Sequence, residues 1–294
     1  MLLNERTGEM VKMVNGRAIA RKSNDSVKEK IAGIVSGGGG PLKLVSVSVG
    51  SNEGARIYMA MQKRAAEYVG IDFETIELPG ATSQEELFAL INELNGDRGV
   101  TAMIVQSPVP ARIDHNRAVA AVAPFKDAEG IHPYNLGKIL RMEADIVPCT
   151  PGAVMKILRN IGCELYGKEV VIIGHSAIVG KPLSLMMLNE NATTTVCHLA
   201  TSEKGDIISH SRKADILVVA AGAAGLVKSG WIKEGAVVVD VGINKVDGGV
   251  VGDVDPRAAS EKASYLTPVP GGVGPVTVSI LMRNVLRAYL EQKG

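Results

Sequence analysis

Short apolar runs alternate with longer amphipathic stretches along the chain. Leu42 to Val49 (LKLVSVSV) follows the glycine run Gly37 to Gly40, and its β-branched residues predict a strand. Phe73 to Leu78 and Val100 to Gln106 read the same way, while Ala55 to Tyr68 and Ser83 to Leu94 read as helices. Strands alternating with helices of this length imply parallel βαβ units with buried strands. Such sheets gather functional groups beyond the carboxyl ends of their strands, here Gly50-Ser51-Asn52 and Gln106-Ser107-Pro108.

A second pattern of the same kind follows the loop Pro148-Cys149-Thr150-Pro151-Gly152. Glu169 to Gly174, Thr193 to His198, Asp215 to Ala220 and Ala236 to Val241 read as strands, and Gly180 to Leu188 as a helix. The fold class is therefore α/β, with a boundary near Pro148 that divides residues 1–147 from 148–275. A last helix, Val276 to Gln292, is free to return to the first domain, which residues 276–294 would complete.

Composition narrows the function. A chain of 294 residues has room for two cores. A net charge of +1 offers no electrostatic footprint for nucleic acid. Cys149, Cys163 and Cys197 are odd in number and form no CxxC pair, which fits a reducing, cytoplasmic setting. Met1 to Met13 lacks the apolar run of a leader, and no stretch is apolar for long enough to cross a membrane. The five histidines make no HxH, HxxxH or HExxH arrangement, so no metal is assigned.

Four places carry candidate chemistry. The turn from Gly174 through His175, Ser176, Ile178, Val179 and Gly180 to Pro182 joins a strand to a helix, as a dinucleotide site requires. Ser176 breaks a strict GxGxxG, and glycines at such a turn also serve packing. Asp127 and Glu129 flank Ala128; they suit acid–base work or a donor-rich heterocycle, or else form a solvated turn paired with Lys126. Tyr58 and Gln62 share a helix face at i and i+4. Thr267 to Pro275, with three prolines and three glycines, reads as a binding wall or a hinge.

In this order the motifs resemble, over nearly the whole chain, the methylenetetrahydrofolate dehydrogenase/cyclohydrolase family. The resemblance rests on Asn15-Gly16-Arg17-Ala18-Ile19-Ala20, Val105-Gln106-Ser107-Pro108-Val109-Pro110, Lys126 to Gly137, Pro148 to Gly152, Gly174 to Pro182, Asp240 to Asn244, Gly252-Asp253-Val254 and Thr267 to Thr277. It implies an N-terminal catalytic domain closed by the C-terminal helix, a Rossmann-like dinucleotide domain with a mainly parallel sheet, and a homodimer. It further implies catalytic roles for Tyr58, Gln62, Gln106 and Asp127. A tetrahydrofolate substrate would then lie against Tyr58, Glu129, Pro270, Gly271 and Gly272. Besides Gly174 to Pro182, cofactor contacts are expected at Ala221, Gly222, Val241, Gly242, Ile243, Gly272, Val273 and Thr277.

The departures from the family pattern shape the remaining expectations. Gln62 stands where the family has lysine, Glu129 where it has aspartate, and Ser107 where it has leucine. His175, Leu199 and Ala200 replace basic or polar residues near the dinucleotide. The sequence thus predicts hydride transfer from methylenetetrahydrofolate with methenyl hydrolysis lost or weak, and NAD preferred to NADP. The alternatives are a bifunctional dehydrogenase/cyclohydrolase and a silent folate- and dinucleotide-binding partner.

Overall fold

The computed structural model describes residues 11–293. Most of the segment read above for a leader, residues 1–10, lies outside the described residues. The chain divides into two compact units, one of residues 21–149 with 278–293, the other of residues 11–20 with 150–277.

In the first unit three parallel strands run in the order Ile71–Leu78, Leu42–Val49, Ala102–Val105. Leu42–Val49 is the middle strand and nearly all buried, which explains why its residues are apolar apart from Lys43, Ser46 and Ser48. One core packs Leu42, Leu44, Ile71 and Ile104 against Leu281, Met282, Val285 and Leu286 of the helix Val273–Glu291, so the C-terminal helix does return. The other core joins Val45, Val47 and Met103 to Leu87 and Ile91 of the helix Gln84–Gly96.

In the second unit six parallel strands run Lys12–Met13, Tyr265–Leu266, Val237–Asp240, Ile216–Val219, Glu169–Ile173, Thr193–Cys197. Strand order reverses around Glu169–Ile173, whose neighbours are the next two strands in sequence, one on each side. This reversal is the switch point at which open α/β sheets bind ligands.

Three readings change. The described residues before Arg21 belong with the dinucleotide-type sheet, because Lys12–Met13 pairs with Tyr265–Leu266. Pro148 to Gly152 is no open loop: Cys149–Asn160 is a helix whose first turn holds Pro151, where a missing N–H costs nothing. The helix Gly16–Ser36 was not foreseen. Among the described residues no helix is long and apolar enough to cross a membrane.

Candidate active site

Tyr58 and Gln62 lie on the helix Glu53–Val69, which Asn52 opens by accepting the Ala55 N–H at 2.9 Å. Gln62 belongs to the buried stripe with Met59, Ala66 and Val69, so an amide sits where an apolar residue is usual. Gln106, just past the strand Ala102–Val105, satisfies it. Its Nε2 donates to Gln62 Oε1 at 2.8 Å and to Ser46 Oγ at 3.0 Å. With its oxygen engaged, Gln62 has its amide nitrogen left to face the Tyr58 hydroxyl. Burial first, then Cys149 and Glu129, push that hydroxyl far above its ordinary range, against the lowering effect of Gln62. Lys63 points outward and is exposed, so it supplies no cation in place of the missing lysine. Ser48, Asn52, Met59, Gln106 and Pro108 line a small concavity at the same strand end.

The Asp127 loop is not the solvated turn that its charges suggested. Lys126 is buried and donates to the carbonyls of Leu94 at 2.9 Å and Asp97 at 2.6 Å, closing the end of the helix Gln84–Gly96. Asp127 is buried as well. Its Oδ1 accepts Gly130 N–H at 3.0 Å, and its Oδ2 accepts His132 N–H at 2.8 Å and Asn135 Nδ2 at 2.9 Å. A carboxylate so engaged braces its loop, with three of its lone-pair sites taken. Glu129 differs: among the described residues no hydrogen bond reaches its carboxyl group. Burial first, then Asp127, push it up to about 8. Cys149, for which the motifs predict no role, lies beside Tyr58 and Glu129, and burial pushes its thiol well up. Tyrosine, thiol and carboxyl are thus neutral in large part near pH 7. The site is suited to holding a neutral heterocycle and lacks a strong base.

In the second unit the strand Glu169–Ile173 turns at Gly174 into the helix Gly180–Asn189. Both glycines answer to packing. A Cβ on Gly174 would lie 2.2 Å from the Ala220 oxygen, and one on Gly180 would lie 2.0 Å from the Gly174 oxygen. The residues between them, His175 to Ile178, are exposed at the switch point, while Val179 is half-buried and donates its N–H to Ser176 Oγ at 3.1 Å. Pro182 is buried inside the first helical turn. The His175 and His198 rings lie 5.1 Å apart, tilted by 59°, next to exposed Leu199 and Ala200.

Past the neighbouring strand ends, two buried acids organise the loops that carry the other expected cofactor contacts. Asp253 accepts the N–H groups of Ala221, Gly222 and Ala223 at 2.6, 2.9 and 2.9 Å, and Asn244 Nδ2 at 2.8 Å. Asp240 accepts those of Gly242, Asp253 and Val254 at 2.9, 3.0 and 2.9 Å. Burial pushes Asp240 up to about 6 against the pull of those three bonds. Ala221 and Gly222 are exposed, but their N–H groups are already engaged. Val241 donates to the Val219 carbonyl at 2.8 Å, and Ile243 is exposed. Pro270 follows a cis peptide bond, Gly271 has φ of 107°, and Gly272 N–H donates to the Pro268 carbonyl at 2.8 Å. Val273 and Thr277 are buried, the Thr277 hydroxyl donating to the Val273 carbonyl at 3.2 Å. Two signals for the missed residues existed in the sequence: serines at 46 and 48 in the buried half of a strand that otherwise carries only valines there, and a cysteine held between prolines at 148 and 151.

Comparison with known proteins gives this geometry a family. Residues 14–129 match the family described as "Tetrahydrofolate dehydrogenase/cyclohydrolase, catalytic domain", and residues 148–293 match its "NAD(P)-binding domain". The "Bifunctional protein FolD" of Methanosarcina barkeri is 46% identical over 94% of this chain and 95% of its own. The structure of the bifunctional FolD methylenetetrahydrofolate dehydrogenase/cyclohydrolase from Campylobacter jejuni superposes with a TM-score of 0.91 at 39% identity, covering 96% of this chain and 99% of that one. The Trypanosoma brucei methylenetetrahydrofolate dehydrogenase-cyclohydrolase, complexed with NADP and an inhibitor, gives 0.91 at 37% identity, over 97% and 99%. The chain belongs to the tetrahydrofolate dehydrogenase/cyclohydrolase family.

Proposed function

We propose that the protein oxidises methylenetetrahydrofolate with a nicotinamide dinucleotide, holding folate in the unit of residues 21–149 with 278–293 and the dinucleotide in the other. One observation carries the reading. Glu129 is a half-buried carboxyl group without a donor from the described residues, set beside Tyr58. A pterin presents a ring N–H and an amino group on one edge, matching the two carboxyl oxygens. Tyr58 would wall the ring system, and Gln62 and Gln106 would orient the one-carbon end. The exposed turn His175 to Ile178, at the switch point of a parallel sheet, fits a dinucleotide. When bound, that group accepts the hydride that leaves the bridge carbon. The T. brucei relative's NADP favours NADP for this chain too, against the preference for NAD expected from His175, Leu199 and Ala200. A homodimer in a reducing, cytoplasmic setting completes the proposal, on the family resemblance and three unpaired cysteines.

Hydrolysis of the methenyl product divides the readings. The relatives are named as bifunctional, which favours both activities here and is the primary reading. Water then attacks the methenyl carbon, a C–O bond forms, and the ring C–N bond breaks as one of the water's protons passes to the leaving nitrogen and the other is lost to solvent, which discharges the cation. Gln62 and Gln106 orient that water, and the proton travels through solvent. The second reading, hydride transfer alone, is favoured by Gln62 itself, because an amide exchanges no proton near neutral pH. The test supplies methylenetetrahydrofolate with NADP or NAD and follows the reduced nicotinamide, then supplies methenyltetrahydrofolate and follows its decay. The expected result is turnover with NADP, and decay above the uncatalysed rate. Decay at the uncatalysed rate, with a gain of about 100-fold or more in Gln62→Lys, establishes the second reading. No reduction of either dinucleotide overturns both and leaves a binding partner.

A further inference from the structure

The helix Val273–Glu291 turns an apolar stripe inward, and Asn284 lies in it with no exposed surface. An amide so placed is unfavourable unless bonded. Its Nδ2 donates to the carbonyl of Ala128 at 2.9 Å and to that of Val147 at 2.8 Å, with Cys149 Sγ at 3.6 Å sharing one of the two hydrogens. Its Oδ1 is buried and without a partner among the described residues. An apolar side chain would avoid that orphan oxygen, so the residue is explained by its two donations. Both go to loops that meet at Glu129. Cys149 N–H donates to the Glu129 carbonyl at 3.2 Å. Gly130, at φ of 71°, lies so close to Val147 that a Cβ would fall 2.3 Å from its carbonyl. The loops 128–130 and 147–149 are thus laced together, and Asn284 supplies the donors that let two buried carbonyl dipoles converge. Without that shared donor the carbonyls repel and the loops part. Glu129 would then lose the placement that short, directed bonds to a ligand demand.

We propose that Asn284 is a positioning residue that fixes Glu129 for folate by clasping the loops on either side of it. The proposal rests on the reading of Glu129 as the folate acceptor. It is tested by a double-mutant cycle on the full chain with Asn284→Leu, Glu129→Gln and both together, measuring KM for methylenetetrahydrofolate, KM for the dinucleotide, and kcat. Asn284→Leu is expected to raise the folate KM about tenfold, which is about 1.4 kcal/mol. The dinucleotide KM and kcat should stay within about twofold. In the Glu129→Gln background the same change should add less than about twofold. An equal effect in both backgrounds, or an equal rise in the dinucleotide KM, overturns the proposal while leaving Glu129 in place. An unchanged folate KM in Glu129→Gln alone overturns the reading of Glu129, and the proposal with it. If Asn284→Leu does not fold, Asn284→Asp, which keeps the shape and removes the donors, enters the same cycle with the same outcomes.

Discussion

Each unit places a pair of acids beyond the ends of its strands, and the two pairs are used differently. Asp240 and Asp253 are both engaged, between them accepting six backbone N–H groups and one side-chain amide. In the other unit Asp127 does the same for its loop, but Glu129 accepts nothing from the described residues. Neighbouring carboxyl groups thus divide into braces and one held in reserve. The orientation of backbone donors around each acid decides which it is, and a motif read as letters cannot show that. An acid already surrounded by N–H groups has at most one lone pair left for a ligand, whereas a desolvated one without donors is costly until a ligand brings them.

The contrast breaks most visibly at Asp253. Asp253→Asn turns one oxygen into a donor facing N–H groups, and should destabilise its unit by roughly 3 kcal/mol, within the range for bonds to charged groups; denaturant melting reads it. A loss under about 1 kcal/mol would mean the loop holds without its brace. Glu129→Gln is the counterpart. Stability should hold or rise slightly, while folate binding weakens by about 1.5–3 kcal/mol, read by titration with folate.

The smallest effect is on pH. A carboxyl group raised in the folded state to about 8 from an ordinary value of 4.5 binds its proton more tightly folded than unfolded. Its stabilising contribution is complete below the unfolded value and fades as pH rises through about 8. Folate binding should move the other way and strengthen toward pH 8, as the ionised acceptor becomes available. Stability curves of the native protein and Glu129→Gln should therefore diverge between about pH 4.5 and 8. Superimposable curves would place Glu129 in water.

Legibility in the sequence followed the physics of each element. Buried parallel strands are continuous apolar runs, so Leu42–Val49, Glu169–Ile173 and Ile216–Val219 were read to within about two residues. The helix Gly16–Ser36 escaped because its buried positions, Gly16, Ile19, Ala20, Ser23, Val27 and Ile31, form one thin stripe, only half of it large and apolar, in a polar sequence. Lys12–Met13 and Tyr265–Leu266 have two residues each, too few for any period. In the site, Tyr58 and Gln62 were legible from helical spacing. Lys126, Asp127 and Cys149 were not, because whether a polar group meets water or a carbonyl depends on a distant strand or helix end.

The interlocking of Asp240 and Asp253 constrains what change the chain can accept. A Cβ on Gly242 would lie 2.3 Å from the Asp253 carboxyl carbon, and one on Gly252 would lie 1.9 Å from Asp240 Oδ2. Each acid therefore occupies the space that a side chain on the glycine would need, and each glycine leaves room for that acid and no more. Positions 240, 242, 252 and 253 are thus sterically interdependent. A library randomised at any one of them should return the starting residue, and alternatives should emerge only when the four are varied together.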